Sequence, residues 1–209
     1  MKKILFLAVL ALALPMAVFA DSSIDYANVG GTLAASNAVG PATLSLSGSN
    51  LIAITGLPSG TSITGSDLGS VSFTTGLLTS GSLAMGGTFA AGGTFTITGN
   101  GSNGAPTGVI FTGTFSGPVT WALMTNGIGV DATHTYTLSG TLSGTTASGF
   151  KTTGATVQLT VSTGKGFFNG AVGLSSGDTN IVVPEPGSLV LLGTGLIGLA
   201  GVVRRKLKA

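Results

Sequence analysis

Cysteine is absent from this chain, which removes disulfides, thiolate metal sites, a cysteine nucleophile and c-type haem attachment. Histidine occurs once, at His134, and glutamate once, at Glu185, so acids, bases and metal ligands are in short supply. Charge is equally scarce, at 7% of residues, and its placement matters more than its sum. Of the eight Lys and Arg residues, Lys2, Lys3, Arg204, Arg205, Lys206 and Lys208 lie at the two ends. Between Asp21 and Val183 only Lys151 and Lys165 stand against Asp21, Asp25, Asp67, Asp131 and Asp178, a formal charge of −3. No basic patch remains there to neutralise phosphates, which excludes nucleic acid as a partner. No cofactor or metal is implied.

What the body does have is glycine, serine and threonine: 31, 21 and 29 of its 163 residues. Disorder normally accompanies high charge and few large apolar residues. Here charge is low and Phe, Val, Leu and Ile recur in alternation, which predicts a folded β domain rich in short turns; its length suffices for one core.

The alternation has a period of two. Leu44 and Leu46 alternate with Thr43, Ser45 and Ser47, and Phe95 and Ile97 with Thr94, Thr96 and Thr98. Val109, Phe111, Gly113 and Phe115 form the clearest stretch, followed after Pro118 by Val119, Trp121 and Leu123. His134, Tyr136, Leu138 and Leu142 share a face, as do Val157, Leu159 and Val161. Turn signals separate these runs, among them Asn100-Gly101-Ser102, Thr125-Asn126-Gly127 and Ser143-Gly144. We expect an all-β fold, an antiparallel β-sandwich of jelly-roll or Ig-like type, with Phe73, Phe95, Phe111, Phe115, Trp121, Tyr136, Val157 and Leu159 buried. A single-sheet solenoid is the second architecture, disfavoured because only two-copy repeats are present. The domain is placed at 21–174, with an exposed linker over 175–183.

The chemistry open to the body is limited. A hydrolase would use His134 with Asp131 and a serine, but His134 shares the parity of Tyr136 and Leu138, which predicts a partly buried or strand-edge histidine. Asp178 with Asn180, or Asp131 with His134, would give a cation only two ligands where calcium takes roughly six to eight oxygens, so Asp and Asn are read as turn caps. Glycan binding would draw on exposed aromatics, with Trp121 and Tyr136 as candidate contacts. Core packing is the first expectation for Trp121. The body is therefore expected to be non-enzymatic.

The ends carry the most specific signals. Residues 1–20 have the three parts of a secretory signal peptide: Lys2 and Lys3, an apolar core from Ile4 to Leu14, and small residues up to Ala20 after Pro15. At the other end, Pro184-Glu185-Pro186 precedes an apolar run from Leu189 to Val203 and a basic tip of Arg204, Arg205, Lys206 and Lys208. The run has about 15 residues, short of the roughly 20 of an ordinary span, and Gly193, Gly195, Gly198 and Gly201 suit close helix approach better than a permanent anchor. A helix is expected there.

Residues 184–209 resemble the sorting signal of PEP-CTERM proteins, with Pro184, Glu185 and Pro186 as the motif and Arg204, Arg205, Lys206 and Lys208 as the tail. The resemblance covers only that end. It implies export through the inner membrane of a Gram-negative bacterium, processing by the membrane enzyme exosortase, and residence in the membrane, at the cell surface or in the extracellular matrix, with exopolysaccharide as a partner. Together with the composition it suggests a structural or adhesive role; a carbohydrate-binding module and a secreted hydrolase are the alternatives. The leader makes a direct prediction: signal peptidase cuts between Ala20 and Asp21, so N-terminal sequencing of the exported protein should begin at Asp21, and an intact Met1 in that fraction refutes the assignment.

Overall fold

The computed structural model describes residues 22–37, 41–57 and 59–183, with the isolated positions 194, 195 and 198. The signal peptide, its Ala20–Asp21 junction, the Pro184-Glu185-Pro186 motif, the basic tail and the expected C-terminal helix as a whole lie outside the described residues. Residues Ser23–Val182 form one compact unit.

Thirteen strands build that unit, and they join in one sheet. The first stave of the wall is made of β1 (Ser22–Val29) and β2 (Thr32–Ala35), both paired with β3 (Leu44–Thr55), which also carries the two-residue β4 (Ile63–Thr64) on its edge. Next come β5 (Gly69–Thr74) with β6 (Leu78–Ser82), then β7 (Gly86–Phe89) with β8 (Gly92–Asn100). In these two staves β5 pairs with β8, and β6 with β7. β9 (Thr107–Phe115) and β10 (Val119–Asn126) run end to end along β11 (Thr133–Thr146). β12 (Lys151–Gly164) pairs with β11, and β13 (Ala171–Val183) pairs with β12 and returns to β2 and β1. Counting interrupted strands as one stave gives an antiparallel barrel of eight strands, each beside its neighbour in sequence. It is an up-and-down barrel closed by the β13–β2 ladder.

The all-β, antiparallel expectation holds, whereas the sandwich does not. Period-two alternation fixes which side chains turn inward, and that is the same whether a sheet packs on a second sheet or on itself. The difference lies in β13. Residues 175–183, expected as a linker, are the second half of this strand. Its inward positions are Leu174, Gly177, Thr179 and Ile181, and the small or polar pair in the middle hides the alternation.

The eight aromatic and aliphatic residues expected inside are all buried. Phe73 and Phe95 stack with ring centroids 5.9 Å apart, and Phe115 meets both edge-on at 5.8 and 6.2 Å. Phe111 adds a tilted contact to Phe95 at 6.2 Å. Offset and edge-on pairs of this kind contribute about 0.5–1.5 kcal/mol each beyond the area they bury. A second cluster forms where Trp121 and Tyr136 stack at 4.7 Å and Phe168 packs against both. Its polar ends are satisfied: Trp121 Nε1 donates to the Leu83 carbonyl, Tyr136 Oη donates to the Ala84 carbonyl, and the Phe168 amide donates to Tyr136 Oη. Apolar side chains fill the inside while Thr and Ser dominate outside, the reverse of a transmembrane barrel. Among the described residues, no helix is long and apolar enough to cross a membrane.

Glycine allows the strands to approach where phenylalanines fill the interior. A Cβ on Gly144 would lie 2.3 Å from the Thr112 carbonyl oxygen and 2.6 Å from Phe111 Cζ. A Cβ on Gly154 would meet nothing within 4 Å, and its φ is ordinary. Gly144→Ala should therefore destabilise by about 1–3 kcal/mol through overpacking, while Gly154→Ala should be neutral or stabilise by up to about 1 kcal/mol by restricting the unfolded chain. Urea denaturation of the two variants checks the contrast, and equal effects would contradict it.

Candidate functional site

The residues proposed for glycan contact do not reach solvent. Trp121 is 1% exposed and Tyr136 is fully buried, and their polar atoms are spent on the turn between β6 and β7. Their inward parity, shared with Leu138 and Val119, decides this. The aromatic route to a sugar-binding face is thereby corrected: both rings are core.

The hydrolase constellation does not assemble either. His134 is 6% exposed and lies against the Phe167 ring, centroids 4.1 Å apart. Its Nδ1 is buried with no hydrogen-bond partner, so no carboxylate fixes the tautomer as catalytic triads require. Asp131 forms an exposed ion pair with Lys165 instead. One Gly-x-Ser-x-Gly spacing, Gly173-Leu174-Ser175-Ser176-Gly177, runs along β13, whereas a nucleophile elbow needs a sharp strand-to-helix turn. Among the described residues, no three His, Asp or Glu side chains group as a metal site.

What the fold does create is a groove of about 430 Å³ on the outer wall across β10, β11, β12 and β13. Gly140 takes an inward position between Leu138 and Leu142, and a Cβ there would lie 2.9 Å from Phe115 Cδ1 and 3.2 Å from Val119 Cγ2. The bare Cα lets β11 lie close against Phe115 and Val119 at this point, and Gly140 and Pro118 are both among the lining residues.

Strand register sets polar side chains in two rows across this hollow. One row runs Thr120, Ser139, Gln158, Asp178, each directly opposite the next. The second runs Thr141, Thr156, Asn180. Ser116 Oγ donates to Thr141 Oγ1 at one end of it, and Asn180 Nδ2 donates to Asp25 Oδ1 at the other. Adjacent strands lie about 4.8 Å apart, so each row is a periodic ladder of hydroxyls and amides, the first ending in the Asp178 carboxylate and the second in Asn180, which is bonded to Asp25. Sequence reading weighed Asp178 with Asn180 only as calcium ligands and preferred turn caps, whereas both stand within β13, and it did not single out Gln158 or Asp25. Parity alone could have turned Gln158 outward, but only register brings it beside Asp178.

Partial burial and the charge of Asp25 push the Asp178 carboxyl above its usual 3.8, opposed by a hydrogen bond from the Thr179 backbone. The folded protein thus holds this proton more tightly than the unfolded chain. Ionised Asp178 costs stability above its raised pKa, and the cost vanishes below 3.8, where both states are protonated. Asp178→Asn should accordingly stabilise the fold at neutral pH by less than about 1 kcal/mol, because the group stays in contact with solvent, and so raise the thermal midpoint. The gain should fade on acidification; calorimetry showing the same gain at acid pH would contradict this origin.

Comparison with known proteins bears on the C-terminal end alone. The family described as PEP-CTERM protein-sorting motif matches residues 182–206. Neither curated proteins nor solved structures give a match. The matched stretch contains the Pro184-Glu185-Pro186 motif, the apolar run and most of the basic tip, and it implies exosortase-dependent sorting of an exported protein at a bacterial membrane. This chain carries a PEP-CTERM protein-sorting signal at its C-terminus.

Proposed function

We propose that the protein is a non-enzymatic structural or adhesive component of the cell surface or extracellular matrix of a Gram-negative bacterium, with the β-barrel as the displayed part. The observation that carries the reading is the sorting signal at 182–206 directly after a folded domain that ends with β13. The domain has one cooperative core and an exterior of hydroxyl groups, which suits residence in a hydrated, weakly charged layer. The first and last strands of the barrel, β1 and β13, are neighbours.

Two further observations support the reading. The lone histidine is packed under Phe167 and the nearest candidate acid in sequence, Asp131, is paired with Lys165, which disfavours hydrolysis. The β10–β11 hairpin holds Ile128 and Val130 94% and 91% exposed, with Met124 exposed on the strand below. Exposed apolar groups gathered on one element favour an adhesive contact.

Exosortase acts on the tail in this scheme, with Pro184, Glu185 and Pro186 as its recognition motif. Replacing them by alanine (Pro184→Ala, Glu185→Ala, Pro186→Ala) should leave a membrane-fraction product whose intact mass extends to Ala209, while the wild type loses the tail. Wild-type protein found dissolved in the cytoplasm with Ala209 in place would overturn the proposal.

A further inference from the structure

We infer that the outer groove across β10–β13 is a binding site for an uncharged, repeating polyhydroxylated chain, that is, a neutral polysaccharide held by side-chain hydrogen bonds. The volume, about 430 Å³, falls within the range of ligand sites, roughly 300–1,000 Å³. The hollow lies on the open wall of the barrel, and its two polar rows cross several strands, a form that suits a chain laid along the rows.

The lining selects the chemistry. Gln158 presents an amide with two donor hydrogens and an acceptor oxygen, Asn180 keeps one donor and its oxygen beside the bond to Asp25, and the flanking Ser and Thr hydroxyls both donate and accept. Vicinal hydroxyls on a sugar ring are complementary to such pairs. Asp178, with Asp25 beside it, supplies acceptors and negative charge at one end. No Lys or Arg lines the groove; Lys165 is engaged with Asp131, and Lys151 lies at the start of β12, away from Thr156 and Gln158. Phosphorylated, sulfated or carboxylated chains would meet repulsion and no compensating cation.

A peptide fits less well. Strands β11 and β12 already pair on both sides along the groove, so no free edge is available for strand addition. Aromatic stacking is absent from the lining, so binding depends on hydrogen bonds repeated along the chain. Low affinity per repeat and gain with chain length follow from that. The inference is independent of the sorting signal, since the groove belongs to the barrel alone.

Affinity electrophoresis of the full exported protein in native gels tests it, with dextran and galactomannan as neutral probes and dextran sulfate as the charged counterpart of the first. Retardation should grow with neutral polymer concentration and chain length, and dextran sulfate should give none. Gln158→Ala should weaken retardation about tenfold with circular dichroism and thermal midpoint unchanged, whereas Asn180→Ala should weaken it and also lower the thermal midpoint, because Asp25 loses its hydrogen bond. Gln158→Ala is the decisive variant, because it trims an outward side chain and leaves the core intact. Absence of retardation by both neutral polymers, equal retardation of Gln158→Ala and wild type, or preference for dextran sulfate would each overturn the assignment.

Discussion

The ladder between β13 and the stave formed by β1 and β2 is the constraint on which this structure depends. Until it forms, the other strands make an open antiparallel sheet with two exposed edges and one greasy face. Closing it satisfies both edges and turns that face into an interior that side chains can fill. The residues that join are far apart in sequence: Ala171, Val172 and Gly173 meet Ala34, Leu33 and Thr32. The gain therefore comes late, after the meander has been ordered, because loop closure over the whole domain has to be offset first.

Closure also explains the unusual composition. A small barrel whose interior holds four clustered phenylalanines and a stacked Trp–Tyr pair leaves no space for a uniform set of large inward residues. Glycine at Gly140, Gly144 and Gly177 provides the room, and the cost in backbone entropy is offset by aromatic burial. Gly140 also lies in the lining of the outer groove, where Thr120, Ser139, Gln158 and Asp178 line up.

The two parts of the protein obey different physics. Sorting depends on an order of short segments, Pro-Glu-Pro, apolar run and basic tip, which a membrane and a processing enzyme read without a folded context. The barrel depends on contacts between distant residues. The proposed role joins them: the linear signal delivers a folded, weakly charged wall to a place where hydrogen bonding outweighs ionic attraction.

From the sequence by itself came the all-β class, the inward identity of Phe73, Phe95, Phe111, Phe115, Trp121, Tyr136, Val157 and Leu159, the inward parity of His134 and the delivery signal at Pro184–Pro186. Each is legible because side-chain parity, turn chemistry and segment order are local properties. The barrel, the strand character of Ser175 to Val183 and the row Thr120–Ser139–Gln158–Asp178 were decided only by tertiary structure. A strand carries its own period but not its partner's register, and closure is a property of the whole sheet. For the same reason Trp121, conspicuous as a lone tryptophan, drew attention as a binding residue, while Gln158 and Asn180 acquire meaning only beside the strands that flank them.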